Sequence, residues 1–426
     1  MNAMNVHTGR QPTPAESALV DTFADRMGEL PGDGEVASAR DNAVEALKTQ
    51  GLPSRRVEAW HYTDLRTLLR AVPAYDPADG SQALAPVIAG SAVATVSNGV
   101  ALASPKVDGV QFAKVSDTLA DGSAIRHLAI RDGDDAIGQI NAAYVTDGWS
   151  LAFADGVELE APLELQNAQL RGQGHVRFPV QFGKGTKATV IERQTGGTDE
   201  GFSTSISNLT IADDAEIVWI ILREQGAEAT QLAQLTATLG ANSKLTLYIV
   251  NAGGKLVRQE VHVLVKGEGS DFQLRGVNLL AGDSHTDITM TLGHLVENTT
   301  SVQIVRNVVT DRARGVFQGQ IKVNRIAQKT DARMACNTLL LSDDGEFDAK
   351  PELEIFADDV ACGHGATVTE IDGNHLFYLR ARGIPENEAR GLLIKAFVAE
   401  IIEELESEPL VEALEAILDK WLAAHV

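Results

Sequence analysis

Cys362 and His364, separated only by Gly363, place a thiol and an imidazole on one short polar segment, PELEIFADDVACGHGATVTEID (351–372). If that segment is extended, alternation of side chains puts Cys362 and His364 on the same face, roughly 7 Å apart at about 3.3 Å per residue. A thiolate and a neutral imidazole suit soft and borderline metal ions. Gly363 and Gly365 remove the Cβ atoms on either side of the imidazole, so that a metal, another backbone or another subunit can approach closely. The competing reading is structural, because a lone cysteine beside a lone histidine is more often a small buried hydrophobe next to a hydrogen-bonded ring.

The elements that must position this pair change character along the chain. From Ala15 to about Leu69 the apolar residues keep a helical spacing, with Leu19, Phe23 and Met27 four apart and a break at Pro31, Gly32 and Gly34. The expected N-terminal helical region is 1–72. Residues 73–150 read as a connecting region with short strands, since Pro, Ala and Gly are interleaved with brief Val/Ile pieces. Residues 151–380 carry period-two patterns, among them AEIVWIIL, KLTLYIV, DITMTLG and SVQIVRNVV. Turn clusters near Gly282, Asn298, Arg312, Gln328, Asp344 and Asp359 fall roughly 15 residues apart, one or two short strands plus a corner. Asn-Gly and Asp-Gly hairpin signals are scarce, which disfavours a sandwich and favours a parallel β-helix.

Residues 381–426 form the expected C-terminal helical domain. Pro385 suits a first helical position, Glu386 and Glu388 suit the positive end of a helix, and Leu393, Phe397, Ile401 and Leu405 then recur four apart. After Pro409 a second stripe contains Leu410, Leu414, Ile417, Trp421 and Leu422. The resulting hairpin either caps the solenoid or docks a partner. Glu400, Glu403, Glu404, Glu406 and Glu408 make an acidic face, most simply a solvated one.

The 426 residues are 44% hydrophobic and 22% charged, ordinary for a globular chain, with a formal net charge of −23. That charge repels phosphate backbones and anionic lipid, so neither nucleic acid nor membrane is an expected partner. No apolar run approaches the roughly 20 residues of a membrane span, and the first residues lack a signal-peptide pattern; a cytoplasmic protein is expected. Cys336 and Cys362 give no disulfide framework and no zinc-finger spacing. No GxSxG elbow, phosphate loop, HExxH helix or dinucleotide fingerprint occurs in a supporting context, so the chain is not expected to bind its own nucleotide. His262, His285 and His294 lack clustered partners at ligand spacing and read as structural. The acidic pairs Asp213/Asp214 and Asp343/Asp344 coincide with corners, and only Asp358/Asp359 lies beside the thiol and imidazole.

Three long segments carry a resemblance: GLPSRRVEAWHYTDLRTLL (51–69), RGVFQGQIKVNRIAQKTDARMACNTLLLSDDGEFDAKPELEIFADDVACGHGATV (314–368) and LFYLRARGIPENEARGLLIKAF (376–397). Across nearly the whole chain the sequence resembles the SufD family, scaffold subunits of the SUF iron–sulfur cluster assembly machinery. The resemblance implies a mainly β fold, a right-handed parallel β-helix with helical N-terminal and C-terminal regions. It also implies partners: a SufB paralogue meeting the last strands, a SufC ATPase on the C-terminal helices, and a homodimer in isolation. Leu393, Phe397, Ile401, Leu414 and Trp421 are the residues expected at the ATPase contact. His364 takes the position of the family's histidine at a nascent Fe–S cluster shared transiently with SufB, and Cys362 that of its neighbouring cysteine. Cys336 is expected to be a buried apolar thiol. The rival readings are a SufB-like principal scaffold and a β-helical carbohydrate-active enzyme. The latter needs a repeated carboxylate or basic cluster along one solenoid face, and none is evident.

Overall fold

A computed structural model describes residues 11–76, 83–197 and 199–426. The first ten residues, on which the absence of a leader was read, lie outside them. The centre of the molecule is a parallel β-solenoid whose strands alternate between a ten-stranded and a nine-stranded sheet. From Asp147–Phe153 onward each strand therefore pairs in parallel with the strand two places away in sequence. Asp271–Leu280, Thr300–Val309, Asp331–Leu340 and Ala361–Thr369 follow one another in the first sheet; His285–His294, Arg314–Val323 and Glu346–Ile355 follow in the second. The sequence clusters near Gly282, Asn298, Arg312, Gln328, Asp344 and Asp359 are the corners, and their 15-residue spacing is half a coil. Asn298 and Asp311 adopt positive φ there, both at 56°, a conformation that short polar side chains tolerate better than most, and Lys329 does so at 61°.

One apolar core fills the space between the two sheets and includes Trp219, Phe272, Phe317, Ala332 and Met334. Polar ladders run through it. Asn251 Nδ2 donates to Asn278 at 2.6 Å and Asn278 Nδ2 to Asn307 at 2.7 Å, partners 27 and 29 residues apart. Asn307 Nδ2 in turn reaches the Thr338 hydroxyl at 3.0 Å and the Cys336 sulfur at 3.4 Å. Each amide satisfies the next, as burial requires.

Helices cover the outer faces of both sheets. The N-terminal helices Pro14–Arg26 and Gly34–Gln50, with Ala136–Tyr144, pack through Leu19, Val44 and Ile140 on Phe202, Ile206 and Leu232 of the second sheet. Thr13 and Glu16 form a reciprocal capping box on the first of them, and Asp33 caps the second. The segment expected to connect, 73–150, supplies the strand Ala92–Ser97, which pairs in parallel with Leu163–Gln169. Within the span expected for the solenoid, 151–380, the last strand ends at Thr369 and Gly373–Arg380 is a helix.

The two last helices, Glu386–Ile402 and Glu408–His425, lie on the outer face of the first sheet. Pro385 occupies the position before the first helical residue. The acidic face is not wholly solvated: Glu404 meets Arg275 and Glu400 meets Arg306, each at 2.6 Å, because these carboxylates flank the apolar stripe facing the sheet. No helix among the described residues is long and apolar enough to cross a membrane.

Candidate functional site

Cys362 and His364 lie on the strand Ala361–Thr369, which pairs on one side only, with Asp331–Leu340. The register sets Cys362 beside Ala332 and His364 beside Met334. Ala332 and Met334 belong to the sealed core, so Cys362 and His364 occupy the core-facing row of a strand that no further coil among the described residues covers. Cys362 is half-buried against that core; His364 is exposed. The flanking glycines have open space, since a Cβ added at Gly363 or Gly365 would meet no atom within 4 Å. Nothing among the described residues requires glycine there.

The neighbouring coil is also poorly covered. Along Glu346–Ile355 no residue is fully buried, and Phe356 just beyond it is 57% exposed. Beneath this rim the chain packs densely, so the solenoid ends in an open cross-section with its apolar row and its edge amides and carbonyls unpaired. Asp359, singled out for its nearness to the thiol, is a corner residue: its carboxylate pairs with Lys329, and its backbone N–H donates to Gln328 Oε1 at 2.9 Å.

Burial raises the pKa of the Cys362 thiol, with Asp331 adding repulsion and a hydrogen bond at Ala332 opposing the rise. The sulfur is thus a poor spontaneous nucleophile and ionises most readily when a metal takes the proton's place. Cys336 is fully buried, and desolvation pushes its thiol up to about 12, matching the inert apolar thiol expected from sequence. Among the described residues no group of three or more His, Cys, Asp or Glu side chains is disposed to hold a metal ion.

His262 and His294, two of the histidines read as structural, are part of the framework. His294 is enclosed between the hydroxyls of Thr299 (2.8 Å) and Ser301 (3.0 Å), and burial lowers its pKa to about 4. His262 lies 3.3 Å from Glu260 and has its pKa lowered to about 3, chiefly by burial.

The expected partner-binding stripe divides in two. Ile401, Leu414 and Trp421 are buried in the cluster that binds the helices to Tyr248, Val277 and Val308 of the sheet. Phe397 is half-buried beneath the Arg306 guanidinium, 5.0 Å from its ring centre, and Leu393 is half-buried. Sequence reasoning missed the surface nearby that is exposed. The helix Gly373–Arg380 buries none of its residues; Phe377 is 73% exposed, Tyr378 55%, and Leu392 on the following helix 46%. The sequence signal for it is the aromatic pair of LFYLRARGI, which begins five residues after a capping Asp372.

The geometry is thus a two-sheet solenoid with an open final coil, helices on both faces and a thiol–imidazole pair on the edge strand. Residues 165–397 match the sequence model of the family described as SUF system FeS cluster assembly, SufBD core domain. The chain is 30% identical over 401 residues to the iron-sulfur cluster assembly protein SufD of Escherichia coli, covering 90% of this chain and 92% of that protein. It is 26% identical to an iron-sulfur cluster assembly SufBD family protein of Synechocystis, covering 88% of each, and 26% identical to the chloroplastic protein ABCI7 of Arabidopsis thaliana, covering 91% of this chain and 88% of that one. The chain belongs to the SufBD family of iron–sulfur cluster assembly proteins and is of the SufD type.

Proposed function

We propose that this chain is a non-catalytic scaffold subunit on which an iron–sulfur cluster is built as cargo, at a site completed by a SufB-type paralogue across the open edge of the solenoid. The observation that carries the reading is the position of Cys362 and His364 on the core-facing row of the last, uncovered strand. A paralogous solenoid edge placed there continues the hydrogen-bonded ladder, covers the apolar row and brings its own ligands to the thiol and imidazole.

The chemistry favours sharing. An assembly site must bind iron and sulfide and then release them, so each subunit does best with too few ligands to hold the product alone. His364 offers a ring nitrogen from an exposed position. Cys362, whose thiol resists ionisation in the isolated chain, becomes a ligand only as metal displaces its proton. In isolation, the same open edge can pair with a second copy of the chain.

The ATPase partner, of SufC type, docks on the C-terminal helices. Its contact surface is the exposed group of Phe377, Tyr378 and Leu392 with the outer edge of Leu393, not the buried stripe of Ile401, Leu414 and Trp421. Nucleotide is held by that partner and not by this chain, and the complex works in the cytoplasm. Co-expression with candidate ATPase and paralogue subunits tests the reading. It requires a heteromeric complex whose intact mass includes both; a chain that purifies alone, with its own stoichiometric cluster, overturns it.

A further inference from the structure

The outward-facing row of the first sheet carries a chain of side-chain hydrogen bonds that ends on the strand of Cys362 and His364. Arg306, Asn337 and Thr367 are register neighbours on three successive strands of that sheet. The Arg306 guanidinium donates through Nη1 to Asn337 Oδ1, and Asn337 Nδ2 donates to the Thr367 hydroxyl at 2.7 Å. Through Nη2 the same guanidinium donates to Glu400 at 2.6 Å, on the helix Glu386–Ile402, and it lies over the Phe397 ring of that helix. Four side chains therefore connect the helix to the edge strand without a gap.

The links differ in what they resist. A guanidinium presents its donors in a rigid planar fork, and a short bond to a carboxylate is among the stronger ones available. Arg306 commits that fork to two elements at once, so a displacement of the helix by about 1 Å along the sheet takes one of the two bonds out of hydrogen-bond range. The edge strand is the compliant partner. It pairs on one side only, and Gly363 and Gly365 give its outward row no side chain beside His364, which makes Thr367 the first outward side chain after the imidazole. A second tie of the same kind, Glu404 to Arg275 at 2.6 Å, lies deeper in the solenoid. The other bonds of Arg275 go to Gln273 and to the carbonyls of Leu274 and Val302, and none of them reaches the edge strand.

We infer that Arg306, Asn337 and Thr367 are positioning residues for the His364 ring, and that Glu400 makes its position depend on the C-terminal helix. When Glu400 lets go, the guanidinium turns toward Asn337, the bond to Thr367 readjusts and the imidazole three residues back is re-aimed. What this coupling serves rests on the reading of Cys362 and His364 as a shared cluster site; the coupling itself belongs to the isolated chain.

The test is the NMR signal of the His364 ring in the full, histidine-labelled chain, assigned by its loss in His364→Ala. Glu400→Ala should displace that signal by more than its linewidth in the parent and in Thr367→Ser, which keeps the hydroxyl, but not in Thr367→Val, which removes it. Glu404→Ala should leave the signal in place. Glu400 and Thr367 are exposed, so their variants keep the fold. The inference is overturned if Glu400→Ala leaves the His364 signal unmoved, if Glu404→Ala displaces it as far, or if the displacement survives in Thr367→Val. No cluster is needed for this measurement, so its failure is distinct from failure of the cluster-site reading, which the cluster content of His364→Ala decides.

Discussion

His364 stands in parallel register with Met334 on the neighbouring strand, yet Met334 is 3% exposed and sealed in the core while His364 is open to solvent. One step along the sheet converts an interior row into a surface row. The same step separates Cys336, buried and hydrogen-bonded by Asn307, from Cys362 at the rim. The proposed chemistry depends on this boundary, because ligands on the last strand are held by the core beneath and remain available to whatever covers the end.

The two thiols should differ in reactivity. Cys362 should be alkylated slowly at neutral pH and faster as pH rises, since burial holds its pKa up, whereas Cys336 should resist alkylation in the native chain. Mass mapping after timed iodoacetamide treatment checks this. Equal labelling of the two would contradict the burial assigned to them.

Cys336 also makes an alkaline prediction. Its folded-state pKa of about 12 lies above the usual thiol value, so the unfolded chain ionises first and folding stability falls as pH rises from about 9 toward 12. The slope from this one group is at most about 1.4 kcal/mol per pH unit. Denaturant titrations of the parent and Cys336→Ala across that range should show a shallower decline in the variant.

On the acid side the sign is opposite. His294 has its pKa lowered to about 4 and His262 to about 3, both chiefly by burial, so the unfolded chain takes up protons first as pH falls below about 6.5. Stability is present above that value and lost between it and the folded-state values. The urea midpoint should fall from pH 7 to 5, less steeply in His294→Gln. Identical slopes would remove His294 from the account.

The C-terminal helices should separate packing from docking. Leu414→Ala and Trp421→Ala delete buried side chains and should lower stability by roughly 2–5 kcal/mol. Phe377→Glu and Leu392→Glu alter exposed positions and should leave the thermal midpoint nearly unchanged while abolishing capture of the ATPase partner. If both exposed variants retain full ATPase binding, the docking surface is elsewhere.

Much of this architecture was legible in the sequence because solenoid corners are chemically distinct. Asn298, Asp311 and Gly282 mark positive-φ positions, and their recurrence discloses the half-coil. The Cys362–Gly363–His364 spacing likewise disclosed a shared face. Periodicity could not say what covers a face: Ile401, Leu414 and Trp421 have the spacing of a stripe whether they meet a partner or their own sheet, and only the fold places them against Tyr248 and Val308. The Asn251, Asn278 and Asn307 ladder was hidden for a related reason. Its members are 27 and 29 residues apart and align only when the register is known.

The central claim is tested most directly by the cluster content of the assembled complex carrying His364→Ala, normalised to correctly assembled protein. His364 is exposed, and among the described residues its ring makes no hydrogen bond, so removal of the ring should leave the solenoid, its stability and its partners intact. The account predicts assembly with iron and sulfide sharply reduced, and a milder reduction for Cys362→Ser. Parental cluster content in a folded, fully assembled His364→Ala complex would contradict it.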